Sequence, residues 1–345
     1  MRSRQTVSPG ALRTGLLAAL CVIAAVFVIS AQPPVLHLVS TAWPPFTNEQ
    51  GKARFALDLV EAAFGRIGVS STTAIVSAPE FTSSLLSGRF DGSAAAWEDP
   101  ERERTLLFSQ PYLENRLILV GRRGGDVSAP TLASLSGKRI AIVDGYSYGD
   151  TVDSTSPNFV RTRTEEESLS QLLNGTVDYT LMDELVVRYI TNNYPKEAQS
   201  KLQFGVTPLV TRPLFLAIRK DLPGVQSILD RFNAQIRGMI ADRTYHRLLH
   251  VDWILADVDG DGVPEYVAGG DRVGTVEPQG AYSIATSTMT SRTEAVNRPP
   301  ETTPRRFYVG GNLYSDWASV PQPFKIESSG WSPGRSTASI FTFKW

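Results

Sequence analysis

The chain has 345 residues, with 34 Lys and Arg against 35 Asp and Glu, so its formal net charge at pH 7 is -1. Apolar residues make up 42% and charged residues 20%, which is an ordinary globular composition, and the length predicts about two domains. The near-zero charge argues against a general nucleic-acid-binding protein, which needs a basic surface, and the single Cys excludes a disulfide framework and a Cys-based zinc site.

The N-terminal residues predict export. Three Arg precede an apolar run over 15–29, and Ser30 and Ala31 follow it. A basic start, a short apolar stretch and small residues before the cleavage site are typical of a signal peptide. Because Ile29 fits poorly at the third position before a cut after Ala31, residues 15–31 could instead remain as a membrane anchor. Either way we expect the body to be periplasmic or extracellular, with the membrane contacted only through this segment if it is uncleaved.

From Val35 onward, strands and helices are predicted to alternate. The clearest helix is amphipathic, with Leu57, Val60 and Phe64 on one face, and a stiff Trp-Pro-Pro-Phe loop precedes it. Alternating strands and helices predict parallel α/β sheets. In chain order we predict a strand at 35–40, helices at 56–67 and 81–86, strands at 117–120 and 139–143, a turn at 144–147 that opens a helix, a helix at 166–173, a strand at 179–182, a helix at 184–192, a strand at 214–219, and helices at 225–240 and 244–249.

After residue 253 the composition changes. Residues 254–275 are rich in Gly and Asp, and residues 276–304 are rich in Ser, Thr and Pro, which predicts a flexible linker. Residues 305–345 are rich in aromatic residues and predict a short β-type segment with a hairpin. We expect this segment to dock on the body or on a partner.

Six groups of residues occur in an order that is informative as a set. They are Trp-Pro-Pro-Phe at 43–46, Leu-Asp-Leu at 57–59, Leu-Leu-Ser-Gly-Arg-Phe-Asp at 85–91, Pro-Glu-Arg at 100–102 with Phe-Ser-Gln-Pro-Tyr at 108–112, Leu-Ser-Gly-Lys-Arg-Ile at 135–140, and Gly-Tyr-Ser at 145–147. In this order they resemble the extracellular bacterial solute-binding proteins of family 3, the polar amino-acid-binding type. The resemblance covers roughly residues 35–253.

The resemblance implies an α/β fold with two Rossmann-like lobes, a central cleft and two hinge crossings, which is the type II periplasmic binding protein fold, plus a small C-terminal appendage. Lobe 1 would comprise 35–120 and 212–253, and lobe 2 would comprise 121–211. The implied function is capture of a small polar molecule, leaning towards an amino acid or a related amine or acid. The partner would be the membrane permease of an ABC transporter.

Two other functions are compatible with this fold: ligand sensing and a dehydratase-like cleft enzyme. We expect no enzyme, because the sequence has no phosphate loop, dinucleotide fingerprint or His-centred triad. A sensor would need a cytoplasmic output domain, for which we see no segment in these 345 residues.

The resemblance also implies which residues bind the ligand. Arg102 would clamp a carboxylate with its planar guanidinium, and backbone N–H groups at the start of a helix would add anion donors. An acidic residue at the end of a strand would accept from an ammonium or would only cap the next helix. Two Trp would stack on the ligand or belong to the core. The full set is Trp43, Trp97, Arg102, Tyr146, Ser147 and Asp183.

The residues just before Pro-Glu-Arg depart from the family pattern. Trp97, Glu98 and Asp99 stand where members that bind amino acids usually carry hydroxyl residues. Two carboxylates near Arg102 could neutralise it or could favour a cationic ligand. An amino acid is therefore the favoured ligand class, and the departures at 97–99 count against it.

An acidic loop follows the predicted lobes. Its carboxylates alternate along the chain, and a Gly permits a sharp turn. Hard Ca²⁺ prefers such carboxylate and carbonyl oxygens, and the spacing resembles the loops of EF-hand-like and integrin-type calcium sites. An acidic surface turn is the alternative. We expect one structural Ca²⁺, held by Asp257, Asp259, Asp261, the Val263 carbonyl and Glu265.

Overall fold

The computed structural model describes residues 35–149, 152, 157–278, 280–284 and 305–326. The predicted signal segment, most of the predicted helix after Ser147, much of the predicted linker and the end of the C-terminal segment lie outside these ranges. Within them, no helix combines the length and the apolar composition needed to cross a bilayer.

Strands and helices alternate through the first two thirds of the chain. The strands there are β1 (Val35–Thr41), β2 (Ser70–Val76), β3 (Gly92–Ala96), β4 (Leu106–Phe108), β5 (Leu113–Arg122), β6 (Arg139–Val143), β7 (Asn158–Thr162), β8 (Tyr179–Asp183) and β9 (Leu202–Arg219). The helices are α1 (Phe55–Arg66), α2 (Ala78–Leu86), α3 (Glu165–Leu173), α4 (Glu184–Asn193), α5 (Pro195–Lys201), α6 (Val225–Ala241) and α7 (Thr244–Leu249).

Among the described residues, nine strands join in one sheet with the order β2-β1-β3-β9-β5-β8-β6-β7, and β4 also pairs with β9. The pairs β1–β2, β1–β3, β6–β7 and β6–β8 are parallel, as the alternation of strands and helices predicts. The prediction of parallel sheets is wrong for the other pairs, because β9 runs antiparallel to β3, β4 and β5, and β5 runs antiparallel to β8. The long strand β9 pairs with β3 and β4 near its C-terminal end and with β5 before that. Two half-sheets therefore meet at β9.

Strand β9 is much longer than the predicted strand at 214–219. Its first part contains Pro208 and Pro213, and proline cannot donate to a ladder, so the sequence argues against a central strand there. The structure accommodates Pro208 where the β5–β9 register shifts beside Ile118. Asn115 of β5 lies opposite Arg212 of β9, the residue at which the second part of predicted lobe 1 begins. The lobe boundaries themselves stay predictions.

The core of the first half-sheet lies between helices α1 and α6. Phe64 of α1 meets Phe232 of α6 with 5.9 Å between ring centroids, and Tyr112 meets Phe232 at 5.8 Å. The Tyr245 hydroxyl donates to the Tyr112 carbonyl at 2.6 Å. The predicted amphipathic face of α1 is thus confirmed as a core face, and it fixes the loop that carries Trp43.

A second sheet follows at the C-terminal side. Its strand order is β13-β10-β11-β14-β15, and β12 pairs with β16. These strands lie partly inside the segments predicted as loop and linker, whereas the predicted hairpin is confirmed as β14–β15. Their bounds are β10 (Trp253–Ala256), β11 (Glu265–Ala268), β12 (Val273–Gly274), β13 (Tyr282–Ser283), β14 (Phe307–Val309), β15 (Asn312–Tyr314) and β16 (Lys325–Ile326).

This C-terminal sheet docks on the α/β body. The buried Tyr282 hydroxyl donates to the Glu114 carbonyl of β5 at 2.9 Å. The buried imidazole of His246 in α7 lies 3.0 Å, through Nε2, from the Val267 carbonyl of β11. Residues 305–326 join this sheet, since β14 pairs with β11, and reach the body through it.

Candidate functional site

Three aromatic rings meet between the two half-sheets. Trp43 follows β1, Trp97 follows β3 and Tyr146 follows β6. The ring centroids are 5.5 Å apart for Trp43–Trp97 and Trp43–Tyr146, and 5.6 Å apart for Trp97–Tyr146. Edge-on and tilted contacts at such distances are favourable aromatic pairs. We call these three residues the aromatic cluster.

The aromatic cluster borders a small cavity. The free volume of the cavity is about 30 Å³, which is room for about two water molecules. Both Trp are almost fully buried and also line this cavity, so the core and pocket roles left open by the sequence coexist. The other lining residues come from both half-sheets: Ser40, Thr41, Phe81, Ala95, Arg102, Ser147 and Leu214.

Arg102 lies in the cavity wall at the start of a short 3₁₀ helix, Arg102–Arg104, and is 3% exposed. Its Nη1 donates to the Trp97 carbonyl at 2.8 Å, and its Nη2 donates to the Thr82 hydroxyl at 3.2 Å. Its guanidinium also stacks over the Phe81 ring, 5.3 Å from the centroid. Burial lowers the pKa of Arg102, although nearby carboxylates oppose this shift. The structure thus places the predicted anion clamp beside the aromatic cluster.

Asp99 forms an ion pair with Arg102, the predicted anion clamp. Its Oδ2 lies 3.1 Å from Nε of Arg102 and accepts the Ser147 hydroxyl at 2.7 Å. Burial alone would raise the pKa of Asp99, but hydrogen bonds from the Arg102 backbone and Ser147, with the Arg102 charge, lower it overall. The sequence marks Asp99 as a departure from the family pattern, but not as a contact of Ser147. We call the contact among Arg102, Asp99 and Ser147 the carboxylate bridge.

Asp183 caps a helix and does not line the cavity. Its Oδ1 accepts the backbone N–H of Leu185 in the first turn of α4 at 2.7 Å. Its Oδ2 accepts from the Asn115 amide at 3.2 Å and from the Arg116 backbone N–H at 2.9 Å. Burial raises the pKa of Asp183 to about 7. Of the two roles that the sequence leaves open, the structure shows the cap, and a contact with a ligand ammonium stays a prediction.

Asp183 nevertheless acts on the site through Asn115. The Asn115 carbonyl oxygen accepts the indole N–H of Trp97 at 2.8 Å, while its amide donates to Asp183. Because this chain of hydrogen bonds is fully buried, it fixes the plane of the Trp97 ring. Sequence reasoning missed Asn115, which sits in β5, far along the chain from Asp183.

Glu165 is a second residue that the sequence reasoning missed. It is the first residue of α3, is 7% exposed, and its Oε2 has no hydrogen-bond partner. Its carboxyl interacts with the indole N–H of Trp43, but Trp43 Nε1 forms no hydrogen bond of normal geometry. Burial, followed by the charges of Glu166 and Asp183, raises the pKa of Glu165 to about 8. The only signal was a run of three Glu, which reads as favourable charge at a helix start.

Tyr146 and Ser147, predicted as backbone anion donors, follow the turn after β6. The Tyr146 hydroxyl lies 3.3 Å from the Thr41 hydroxyl, and Ser147 contacts Asp99, so both residues bridge the half-sheets through their side chains. The helix that they were predicted to open falls mostly on residues outside the described ranges.

The acidic loop lies apart from this cavity, between β10 and β11. Asp257, Asp259 and Glu265 each place one carboxylate oxygen within 4.8 Å of the others. Asp261 and the Val263 carbonyl, also predicted as ligands, contact the Arg306 guanidinium at 2.8 Å and 3.0 Å. The oxygen-only donor set fits a hard cation such as Ca²⁺, and Arg306 supplies a positive charge to the same oxygens.

Comparisons with known proteins agree on one family. A family model for bacterial extracellular solute-binding proteins, family 3, matches residues 37–255. ABC transporter arginine-binding protein 1 of Escherichia coli (strain K12) is 25% identical over 235 residues, which is 64% of this chain and 91% of that protein. The virulence sensor protein BvgS of Bordetella pertussis is 28% identical over 175 residues, 47% of this chain and 14% of that protein. The solved structure of an ancestral arginine-binding protein bound to arginine has a TM-score of 0.53 and 24% identity, covering 64% of this chain and 98% of that chain.

Proposed function

Because the chain belongs to the bacterial extracellular solute-binding proteins of family 3, we propose that it captures a small polar molecule between two lobes and delivers it to an ABC-type permease. The type II periplasmic binding protein fold is the fold expected from the sequence, and membership of an extracellular family supports export of the protein. The ligand that we propose is an amino acid or a related amine, since the relatives include a protein named for arginine binding.

The observation that carries this proposal is the cavity between the half-sheets. Trp43, Trp97 and Arg102 reach it from one half, and Tyr146 and Ser147 reach it from the other. A solute that contacts both halves favours the closed arrangement, because it gains those contacts only when the halves approach. The free volume is too small for an amino acid, so we propose that the halves separate to admit the solute and then close on it.

The experiment is thermal unfolding of the purified protein with a panel of amino acids, amines and organic acids. A ligand that binds only the folded state raises the midpoint of unfolding. The shift should disappear in Trp97→Ala and persist in Trp317→Ala, which removes a Trp that packs against Phe307 of the C-terminal sheet. If no compound moved the midpoint, solute capture would be contradicted.

A second candidate function is ligand sensing. The similarity to part of a virulence sensor protein favours it, because the matched segment there forms a small share of a longer protein. Both functions use the same cleft, so binding does not separate them. Deletion of the gene in its host does: loss of uptake of the bound solute supports transport, whereas unchanged uptake with a lost transcriptional response supports sensing.

We also propose that the acidic loop binds one structural Ca²⁺. Asp257, Asp259 and Glu265 would supply carboxylate oxygens, and Asp261 and the Val263 carbonyl would join them once Arg306 withdraws. The ion would neutralise a cluster of like charges and fix β10 against β11. It takes no part in solute capture in this proposal.

For the N-terminal segment we propose export through residues 1–31, with either cleavage or retention as an anchor. Mass spectrometry of the mature protein from its host distinguishes the two, because cleavage after Ala31 would leave Gln32 as the first residue.

A further inference from the structure

The Asp99 carboxylate is held from both half-sheets. Its Oδ1 accepts the backbone N–H groups of Glu101 at 3.0 Å and Arg102 at 2.9 Å. Its Oδ2 accepts the Ser147 hydroxyl at 2.7 Å and lies 3.1 Å from Nε of Arg102. Both oxygens therefore have partners, and those partners include the guanidinium on one side of the cleft and a hydroxyl on the other.

Arg102 has little to offer a second carboxylate. The guanidinium is buried, its Nη atoms donate to the Trp97 carbonyl and the Thr82 hydroxyl, and its Nε lies 3.1 Å from Asp99 Oδ2 as an ion pair without hydrogen-bond geometry. A ligand carboxylate brought to this cation would lie beside the Asp99 carboxylate in a site with room for about two water molecules. Two carboxylates on one buried cation repel each other, and the cost of desolvating the second would not be repaid.

The remaining cavity surface suits a positive group. The aromatic cluster presents three ring systems, and a cation is attracted to such faces when it is removed from water. Glu165 interacts with the Trp43 indole; because its pKa is raised to about 8, it adds a buried oxygen without a hydrogen-bond partner and little negative charge at neutral pH. Arg212 already uses the Trp97 ring in this way, with its guanidinium 5.8 Å from the centroid and Nη2 donating to the Glu98 carbonyl at 2.6 Å.

We propose that Asp99 is a built-in carboxylate that occupies the anion clamp of Arg102, so that the cleft selects small organic cations that lack a carboxylate. This inference rests on the proposed solute-binding function and specifies its ligand class. Asp99 is a specificity-determining residue here: it fills the position that an amino-acid carboxylate would need, and the ligand is recognised by an ammonium or guanidinium end.

The test uses pairs of ligands that differ only by the carboxylate: arginine with agmatine, and lysine with cadaverine. Isothermal titration calorimetry on the wild-type protein should give a dissociation constant for at least one amine that is about ten-fold or more below that of its amino acid. In Asp99→Thr, which removes the built-in carboxylate and keeps a hydroxyl, the ratio should shift towards the amino acid by about ten-fold or more.

Two further variants keep the test decisive. Asp99→Asn preserves shape and should shift the ratio in the same direction if Asp99→Thr fails to fold. Glu101→Gln removes one charge two residues away and keeps the backbone N–H that donates to Asp99 Oδ1, so it should leave the ratio unchanged. An equal shift in Glu101→Gln would show a general charge effect and overturn the specific role of Asp99.

The remaining outcomes separate this inference from the proposed function. Wild-type protein that binds arginine or lysine more tightly than the matching amine overturns the inference and supports solute capture. Wild-type protein that binds neither pair, with a gain of amino-acid binding in Asp99→Thr, supports the exclusion of carboxylates by Asp99. No gain of amino-acid binding in either Asp99 variant overturns the inference, whereas the function fails only if the full solute panel leaves the wild-type midpoint unchanged.

Discussion

Arg306 and Asp261 form a bidentate ion pair, with 2.8 Å from Nη1 to Oδ2 and 2.9 Å from Nη2 to Oδ1. Arg306 also contacts Glu265 and the Val263 carbonyl, so one guanidinium takes up oxygens that the sequence assigns to Ca²⁺. A guanidinium and a metal ion cannot share these oxygens. Arg306, which directly precedes β14, therefore closes the acidic loop and links it to the C-terminal hairpin.

Arg306→Gln should bind Ca²⁺ about ten-fold or more tightly than the wild type, because the competing cation is removed while the carboxylates remain. Calorimetric titration of EDTA-treated protein measures this. Arg305→Gln is the matched control, since Arg305 contacts the Pro278 carbonyl and the Tyr266 ring. Equal Ca²⁺ affinity in all three proteins would argue against competition at this loop.

Asp183→Ala should lower the free energy of unfolding by about 2–4 kcal/mol. The change removes the cap of α4, worth about 1 kcal/mol, and leaves the buried amide of Asn115 unpaired at a cost of about 1–3 kcal/mol. Urea unfolding measures the loss. Asp183→Asn, which can still cap the helix, should lose less.

The same variants separate the two roles of Asp183. If Asp183→Ala retained wild-type stability but lost solute affinity, the cap would be secondary and the ammonium-acceptor role would gain support. A stability loss with the affinity of the folded fraction retained would favour the cap.

Stability should fall as the pH rises from about 5 to about 8. The folded-state pKa values of Glu165, about 8, and Asp183, about 7, lie above the ordinary values of 4.5 and 3.8. Between the unfolded-state and the folded-state pKa of each group, the folded protein holds a proton that the unfolded chain has released. The free energy of unfolding therefore falls as the pH rises, by about 1.4 kcal/mol per pH unit for each group.

Urea unfolding at several pH values in this window measures the slope, and Glu165→Gln should make it shallower because one of the groups with a raised pKa is gone. Burial lowers the pKa of the His246 imidazole, so His246 contributes an opposite slope, which both proteins share. Asp99 contributes the opposite slope, but its lowered pKa confines that contribution to acid below this window. A slope that is the same in the variant and the wild type would contradict the burial of an ionisable Glu165.

Tyr282→Phe should lower the free energy of unfolding by about 1–2 kcal/mol, because the Glu114 carbonyl of β5 loses a buried donor. Thermal unfolding with tryptophan fluorescence measures the effect. Tyr314→Phe, in the edge strand β15, is the control and should change stability less. Equal effects would argue that the hydrogen bond between β13 and β5 contributes little to docking.

Local patterns were sufficient for most elements of the α/β body. The apolar spacing of α1 and the alternation of strands and helices follow from periodicities of the chain itself, so they are readable without tertiary contacts. The sequence predicts a strand only at 214–219, and Pro208 and Pro213 weaken the local strand signal before it. The pairing of residues 202–214 with β5 shows that this first part of β9 is also extended.

The sequence by itself determined the family, the order of its motifs, an Arg at the anion position and an acidic loop suited to a cation. The tertiary structure decided the state of each site: Asp99 and Ser147 complete the carboxylate bridge, Arg306 enters the acidic loop, and Glu165 is buried against Trp43. The reason is physical. Residue types and spacing fix which chemistry a segment carries, whereas the charge balance of a buried site depends on partners that the fold brings from distant parts of the chain.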